Sequence, residues 1–337
     1  MPKQRQRDAA ETLGVSEGAL VHARASVGEM QTLNLREGGT HIVEALPAVG
    51  RVMALTRNAH CVHEKYGTFG GVDLGETMGQ VLMPDIDLRL FLNHWKHAFA
   101  VTEETRSGER HSIQFYDGQG DAVLKVYAVE ETDTPQWNGL NDRFSCESTN
   151  TAFVPAELPA KAAARPDAEV DVTALRTAWM ALEHTHDFFI MLRRQKVTRL
   201  QALRLAGDDL AERLSPDAIH SALTGASQVQ VPIMCFVGNR GGIQIHTGAV
   251  KRIEVMGPWV NVLDSGFNLH LRQDAIAEVW LVRKPTSYGT ITSLEAYDER
   301  GEIIVQLFGQ RNDEGRERGE WRAVLADFVV NEAQEVV

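Results

Sequence analysis

The chain has 337 residues, enough for two domains that each bury a core, and its 46 acidic against 34 basic side chains give a formal charge of −12 that repels phosphate backbones. No stretch approaches the roughly eighteen apolar residues of a membrane span, and the charged start MPKQRQRDAAETLG lacks the apolar centre of a secretory signal. Cys61, Cys146 and Cys235 show neither metal-pair nor disulfide spacing, so the expectation is a cytoplasmic protein with no nucleic-acid partner and no stable membrane insertion.

In chain order, Ser16 is placed to cap a helix over EGALVHARA. RVMALTRN, HCVHEKYGTF, GQVLMP, DLRLFL, AFAVTEE, HSIQFYD and AVLKVYAV then read as short strands, with Asp117-Gly118-Gln119-Gly120 as a hairpin turn. The Pro- and Ala-rich VPAELPAKAAARPDAEV reads as a linker. Beyond it, Leu175, Trp179, Leu182, His186, Phe189 and Arg193 follow a 4-3-4-3-4 spacing that predicts one face of a single helix. Thr198 is a second candidate N-cap, before RLQALRLAGDDLAERL. A second set of strands follows: VPIMCFVGN, GGIQIHTGAV, WVNVLD, FNLHLR, AEVWLVRK, ITSLEAYD and EIIVQLFGQ, with Asp298-Glu299-Arg300-Gly301 as a turn.

The two sets are copies. Asn58, Gly67, Val81, Leu82, Leu88, Leu90, Val101, Thr105, Gly108, Ser112, Tyr116, Asp117 and Gly120 all recur 181 positions later without a gap. These are 13 identities over the 71 residues from Arg57 to Tyr127, where ordinary composition supplies about four. The expected fold is α+β: a tandem duplication of a domain with a large antiparallel β-sheet and packed α-helices. The expected division is residues 1–155, a linker at 156–170, and residues 171–332.

Function is sought where the copies diverge. His186 falls on the predicted apolar stripe, where it is either a hydrogen-bonded core residue or a metal ligand. Asp187 points roughly 100° away around a helix and is not expected to bond the imidazole. Glu103 becomes Lys284, Lys125 becomes Gln306 and Tyr127 becomes Phe308, with Arg311 just beyond. A strand end gathering Lys284, Gln306 and Arg311 suits carboxylates, or is simply a solvated face. Gly238-Asn239-Arg240-Gly241-Gly242 lacks the lysine and hydroxyl of a P-loop. Arg89 alternates with large apolar residues, and His270 stands at its counterpart. His60 and His63 flank Cys61 without the spacing of a zinc site.

At these residues the chain resembles the bacterial cytoplasmic haem-utilisation proteins of the HemS, HmuS, ChuS and PhuS type. The similarity runs from about Ala10 to Phe328 through LTRNAHCVHEKYGTF, DLRLFLNHW, SIQFYDGQGDAVLKVYA, THDFFIMLRRQKVTRLQALRLA, FVGNRGGIQIHTG, AEVWLVRKPTSYGTITSLE and QLFGQR. The resemblance implies two large antiparallel sheets with flanking helices, and haem b (Fe-protoporphyrin IX) in a cleft of the C-terminal half. It implies His186 as the proximal iron ligand and Arg89 as the distal residue that stabilises the haem-bound oxygen species. It further implies Arg199, Lys284, Gln306 and Arg311 as propionate contacts. Phe308 stands where the family has a tyrosine, a loss of one hydrogen bond or ~1 kcal/mol. His63 occupies the place of a second haem-binding histidine found in some members. The implied function is haem binding in bacterial haem-iron acquisition, with the chain carrying haem or opening its ring to release iron. The alternative is a non-catalytic chaperone that hands haem to a separate oxygenase. An inner-membrane haem transporter and a haem oxygenase or reductase are the implied partners.

Overall fold

A computed structural model describes residues 5–33, 41–105, 108–146, 153–157 and 164–326. The middle of the expected linker, 158–163, and the expected C-terminal boundary at 332 lie outside the described residues. Local signals account for much of the secondary structure. The Ser16 hydroxyl accepts from the Ala19 amide and caps the helix Glu17–Ser26; Thr198 does the same for Gln201 and the helix Arg199–Ala206. In the two matching turns, Asp117 Oδ1 accepts from the amides of Gln119 and Asp121, and Asp298 Oδ1 from those of Arg300 and Glu302. Gly120 and Gly301 close these turns at φ +83° and +73°, where glycine alone carries no Cβ penalty.

Two helical expectations change. The helix after Thr198 stops at Gly207, φ +89°, and Ala211–Leu214 instead forms a strand beside Glu278–Thr286. The six-residue stripe is not one helix. It divides into Val172–Met180 and Asp187–Gln195, because the Glu183 carbonyl accepts from both the Ser287 amide and the Ser287 hydroxyl on a neighbouring hairpin turn. Leu175, Trp179 and Leu182 are buried as expected, whereas His186 and Phe189 are exposed.

The described strands form two antiparallel sheets, but not one sheet per copy. The ten-stranded sheet takes seven strands from the first copy and three from the second, and the nine-stranded sheet takes six from the second and three from the first. The exchange is reciprocal and obeys the 181-residue offset. Strand Cys61–Thr68 pairs with Phe267–Arg272 through Cys61↔Leu271 and His63↔Leu269. Strand Gly242–Gly248 pairs with Asp87–Leu90 through Gly242↔Leu90 and Gln244↔Leu88, the same positions with the copies interchanged. Asn58 and Asn239 fasten this junction. Asn58 Nδ2 donates to the carbonyls of Gly238 and Ile304, and Asn239 Nδ2 to those of Arg57 and Val123, which are the matching positions. The repeated asparagine therefore encodes the clasp between copies.

Burial alternates along some strands, while others such as Ala122–Thr132 and Gly289–Tyr297 are covered on both faces over much of their length. In Ile233–Asn239, Ile233, Cys235 and Val237 are buried while Met234 and Phe236 are half-buried. The buried face packs with Leu281, Leu294, Val305, Leu307 and the helix Ala218–Val229 into one core. That helix and Thr134–Phe144 were not anticipated. On the other face, a second core around Trp179, Phe188, Trp280 and Tyr297 covers only the Glu278–Thr286 side of the nine-stranded sheet. The remainder of that face is left partly open.

Candidate functional site

Cross-strand partners in an antiparallel sheet share a face, and the register here brings distant residues onto one. Arg89 opposes Ile243, Ile245 opposes Phe236, Phe236 opposes Gln306, and Gln306 opposes Glu295. Met234 opposes Phe308, and Phe308 opposes Ser293. Lys284 opposes Ile291, two residues before Ser293. Arg89, Lys284, Gln306 and Phe308 thus occupy one face, although Arg89 belongs to the other copy. Met234, Phe236, Ile243, Gln306 and Phe308 are half-buried, forming an apolar strip. Arg89 lies three strands from Phe308, roughly 14 Å across the sheet, and is also displaced along the strands, level with Gly238 where Phe308 is level with Met234.

His186 is the N-cap of Asp187–Gln195, and its neighbour Thr185 is bonded to Arg311, three residues beyond Phe308 of the strip. It is held from outside its own helix: Arg311 Nη2 donates to Thr185 Oγ1 at 3.0 Å, and Ser287 grips Glu183. The Asp187 carboxylate accepts from the His184 amide at 2.9 Å, so it is engaged within the turn rather than on the imidazole. Exposed Phe189 and Ile190 lie one turn from His186, while Phe188 and Met191 point into the core. The His184 ring leans on Tyr288, 6.1 Å between centroids. His186 is therefore an accessible imidazole beside apolar surface rather than the inward core residue the stripe suggested.

Arg199 and Lys284 come together, and they meet a residue that sequence reasoning missed. Glu295 is fully buried. It accepts from Arg199 Nε at 2.7 Å and Nη2 at 2.5 Å, from Lys284 Nζ at 3.1 Å, from the Tyr297 hydroxyl at 2.7 Å and from the Ser293 hydroxyl at 3.1 Å. Burial alone would raise the Glu295 pKa, but Arg199 and then Lys284 outweigh it and hold the carboxyl well below the usual range. Burial pushes Lys284 down to about 8 against the opposing pull of Glu295. Two cations on one carboxylate leave a net charge of +1 beside the strip, on the same face of the sheet. Both head groups also lie over Phe188, Lys284 at 4.9 Å and Arg199 at 5.0 Å from the ring centre. A cation at the first residue of a helix opposes its dipole by ~0.3–1 kcal/mol, so Arg199 is not there for the helix's sake.

The other expected residues fall as follows. Arg89 bonds Asp87 on its own strand and the Leu88 carbonyl, and its side chain is partly exposed. Gln306 lies between Glu295 and Phe236. Phe308 packs edge-on to Phe236 at 5.1 Å and lies 5.4 Å from Lys284 Nζ, offering an aromatic face and no hydroxyl. His63 is on the inner face of its sheet, fully buried, 4.9 Å from the Phe267 ring and with both ring nitrogens unpartnered. Burial, then His246 and Lys65, push its pKa well below the ordinary value. The structure does not bring His63 to the open strip. A cavity of about 510 Å³ beside Arg110, His111 and Trp137 belongs to the N-terminal half and not to this groove.

The geometry defines a class: a duplicated α+β protein whose exchanged strands build an apolar groove, flanked by one accessible imidazole and a buried cationic cluster. The profile of the haemin-degrading HemS.ChuX domain matches residues 14–144 and again 196–328. The chain is 42% identical over 324 residues to the hemin transport protein HmuS of Yersinia pestis, covering 96% of this chain and 92% of that one. Against holo-PhuS, a heme-binding protein from Pseudomonas aeruginosa, identity is 45% and the TM-score 0.92, covering 96% of this chain and 94% of that one. Against ChuS, an E. coli heme oxygenase, identity is 40% and the TM-score 0.86, covering 97% of each chain. The chain belongs to the HemS/HmuS/ChuS/PhuS family. Among the described residues no helix is long and apolar enough to cross a membrane.

Proposed function

We propose that this chain binds haem b in the groove of its nine-stranded sheet and handles it as cargo in cytoplasmic haem-iron acquisition. The observation that carries the reading is His186: an accessible imidazole whose neighbour Thr185 is bonded to Arg311, three residues beyond Phe308 of a half-buried apolar strip with a buried +1 cluster alongside. These groups fit a flat metalloporphyrin. The imidazole supplies an iron ligand, Phe236, Phe308, Met234 and Ile243 supply greasy contact, and Arg199, Lys284, Gln306 and Arg311 supply donors for the two carboxylates. The likeness to PhuS, a heme-binding protein, and to ChuS, a heme oxygenase, supports the same cargo. Titrating the apo-protein with haemin is expected to give a sharp Soret band saturating at one equivalent. A featureless titration would exclude the site.

Two fates for the cargo follow from the family: transfer to a separate oxygenase, or oxidative ring opening on this chain. Arg89, across the strip from the residues that hold His186, is the group placed to stabilise developing negative charge on the far side of the cargo. Arg89→Ala is expected to leave haem affinity within about threefold, since its guanidinium is already engaged by Asp87. With an electron donor and catalase present, the variant is expected to slow ring opening at least about tenfold. Wild-type protein that keeps its Soret band and yields no open tetrapyrrole under those conditions is a carrier. An inner-membrane haem transporter and an oxygenase or reductase are the corresponding proposed partners.

A further inference from the structure

The duplication supplies a control for the cluster beside the groove. Both copies carry the same ladder of hydroxyls around one strand position. In the first, Gln114 donates to Ser112 Oγ at 2.9 Å and accepts from the Tyr116 hydroxyl at 2.5 Å. In the second, Glu295 sits at the matching position between Ser293 and Tyr297. The amide has become a carboxylate, and the surrounding charges have changed with it. Glu103, which pairs with the partly exposed Arg110, is replaced by the buried Lys284. The first residue of the capped helix, Glu17 in one copy, is Arg199 in the other. In the first copy the helix carries the anion and Lys125 comes from the sheet. In the second the helix carries the cation and the sheet the anion.

The cost of this inversion points to its purpose. At the matching position a neutral Gln serves the same hydroxyl ladder, and the first copy carries its buried carboxylate on the helix as Glu17 instead, so the ladder itself does not require Glu295. What Glu295 adds is a fixed hold on two cations. Both its oxygens engage Arg199 through Nε and Nη2, and one of them also takes Lys284. The Nη1 side of the planar guanidinium is left outside that pair, and about a quarter of the side chain is exposed.

We infer that Glu295 is a positioning residue for anion recognition: from beside the groove it locks Arg199 and Lys284 so that the cluster presents one preformed site for a single ligand carboxylate. This deepens the proposed function, on which it rests, by making one of the porphyrin's two carboxylates meet a rigid site while the other meets the exposed Arg311. Preorganisation is the gain. A carboxylate arriving here does not have to order two long, flexible side chains, because Glu295 has already done so.

The sign of one substitution separates this role from simple neutralisation. At a pH low enough to keep Lys284 protonated in both proteins, Glu295→Gln removes a buried negative charge and raises the cluster from +1 to +2. If Glu295 only balances charge, an anionic ligand must bind the variant more tightly. If it positions, the variant must bind the anion more weakly. The probes are iron protoporphyrin IX and its dimethyl ester, which share iron and macrocycle and differ only in the carboxylates. Wild type is expected to prefer the free acid by about tenfold, and Glu295→Gln to reduce that preference to about twofold or less. Glu295→Asp, which keeps the charge, is expected to restore part of it.

A pH profile adds a readout that a merely structural role would not move. Lys284 faces Glu295 and Arg199, and Phe188 and Phe308 lie against it. The wild-type preference is expected to fall as pH rises past about 8, where Lys284 loses its proton. In Glu295→Gln the inflection moves to lower pH, because the carboxylate that raised the Lys284 pKa is gone. If Glu295→Gln does not fold, Glu295→Asp carries the test, because charge balance predicts an unchanged free-acid preference and positioning a reduced one. A free-acid preference equal to or above wild type in either variant overturns the inference. Wild type that binds neither porphyrin overturns the proposed function itself, and the two failures are thus distinct.

Discussion

His186→Ala is expected to fold normally, to lose about a hundredfold in haem affinity, and to shift the Soret maximum of whatever complex remains. Folding is spared because the side chain is exposed at a helix N-cap and makes no cap bond, a setting where substitutions usually stay within about 0.5 kcal/mol. Affinity would fall because the imidazole that would hold the iron goes while the apolar strip and the cations stay. A hundredfold corresponds to about 2.7 kcal/mol, which leaves residual binding to be seen. The neighbouring His184 is a poor substitute: its amide is fixed on Asp187 and its ring leans on Tyr288. An unchanged spectrum in His186→Ala would remove His186 as the ligand and send the search to another imidazole. His63 would not inherit the role without opening the layer between the sheets.

A second large effect is expected at Glu17, far from the groove. Its carboxylate is buried between Lys125 Nζ and Arg57 Nη2, each at 2.5 Å. Glu17→Ala leaves two cations facing each other without a counter-charge, at a cost of ~3–5 kcal/mol. Burial alone would raise the Glu17 pKa, but Lys125 and then Arg57 bring it down to about 2, below its ordinary 4.5. The unfolded chain therefore binds the proton first. The stabilisation, roughly 3 kcal/mol, is present in full above pH 4.5 and is lost as pH falls through about 2. Urea unfolding of wild type and variant should show a wide gap at pH 7 that narrows steadily between pH 4.5 and 2. A gap below about 1 kcal/mol at pH 7, or one that does not narrow, would show that the pair is not coupled to folding.

Much of this molecule was legible from short stretches of chain. Ser16 and Thr198 cap helices as their positions implied, because a hydroxyl reaches an amide three residues on whatever surrounds it. Asp117 and Asp298 shape their turns by the same local reach. Short runs rich in β-branched residues and separated by Gly, Asp or Asn located most of the strands, and the repeated Asn58 and Asn239 proved to be the clasp between copies. The residues carried over from the family, Arg199 and Lys284, do lie together. Their common partner Glu295 escaped notice because on the page it is only one more acidic residue in a strand, matched to a glutamine in the other copy. Its burial becomes visible only when the helix beginning at Arg199 is folded down onto it.

The sequence by itself determined the duplication, the α+β class, the family, and the residue types from which a haem site would be assembled, since each of these depends on patterns within a few residues or on a constant offset. Tertiary structure alone decided three things: the exchange of strands that carries Arg89 onto the sheet of the other copy, the break that turns His186 from a helix interior to an accessible N-cap, and the buried carboxylate beside the groove. Each depends on hydrogen bonds or ion pairs between segments tens to hundreds of residues apart, and no local preference encodes which distant partner a strand edge or a carbonyl will find.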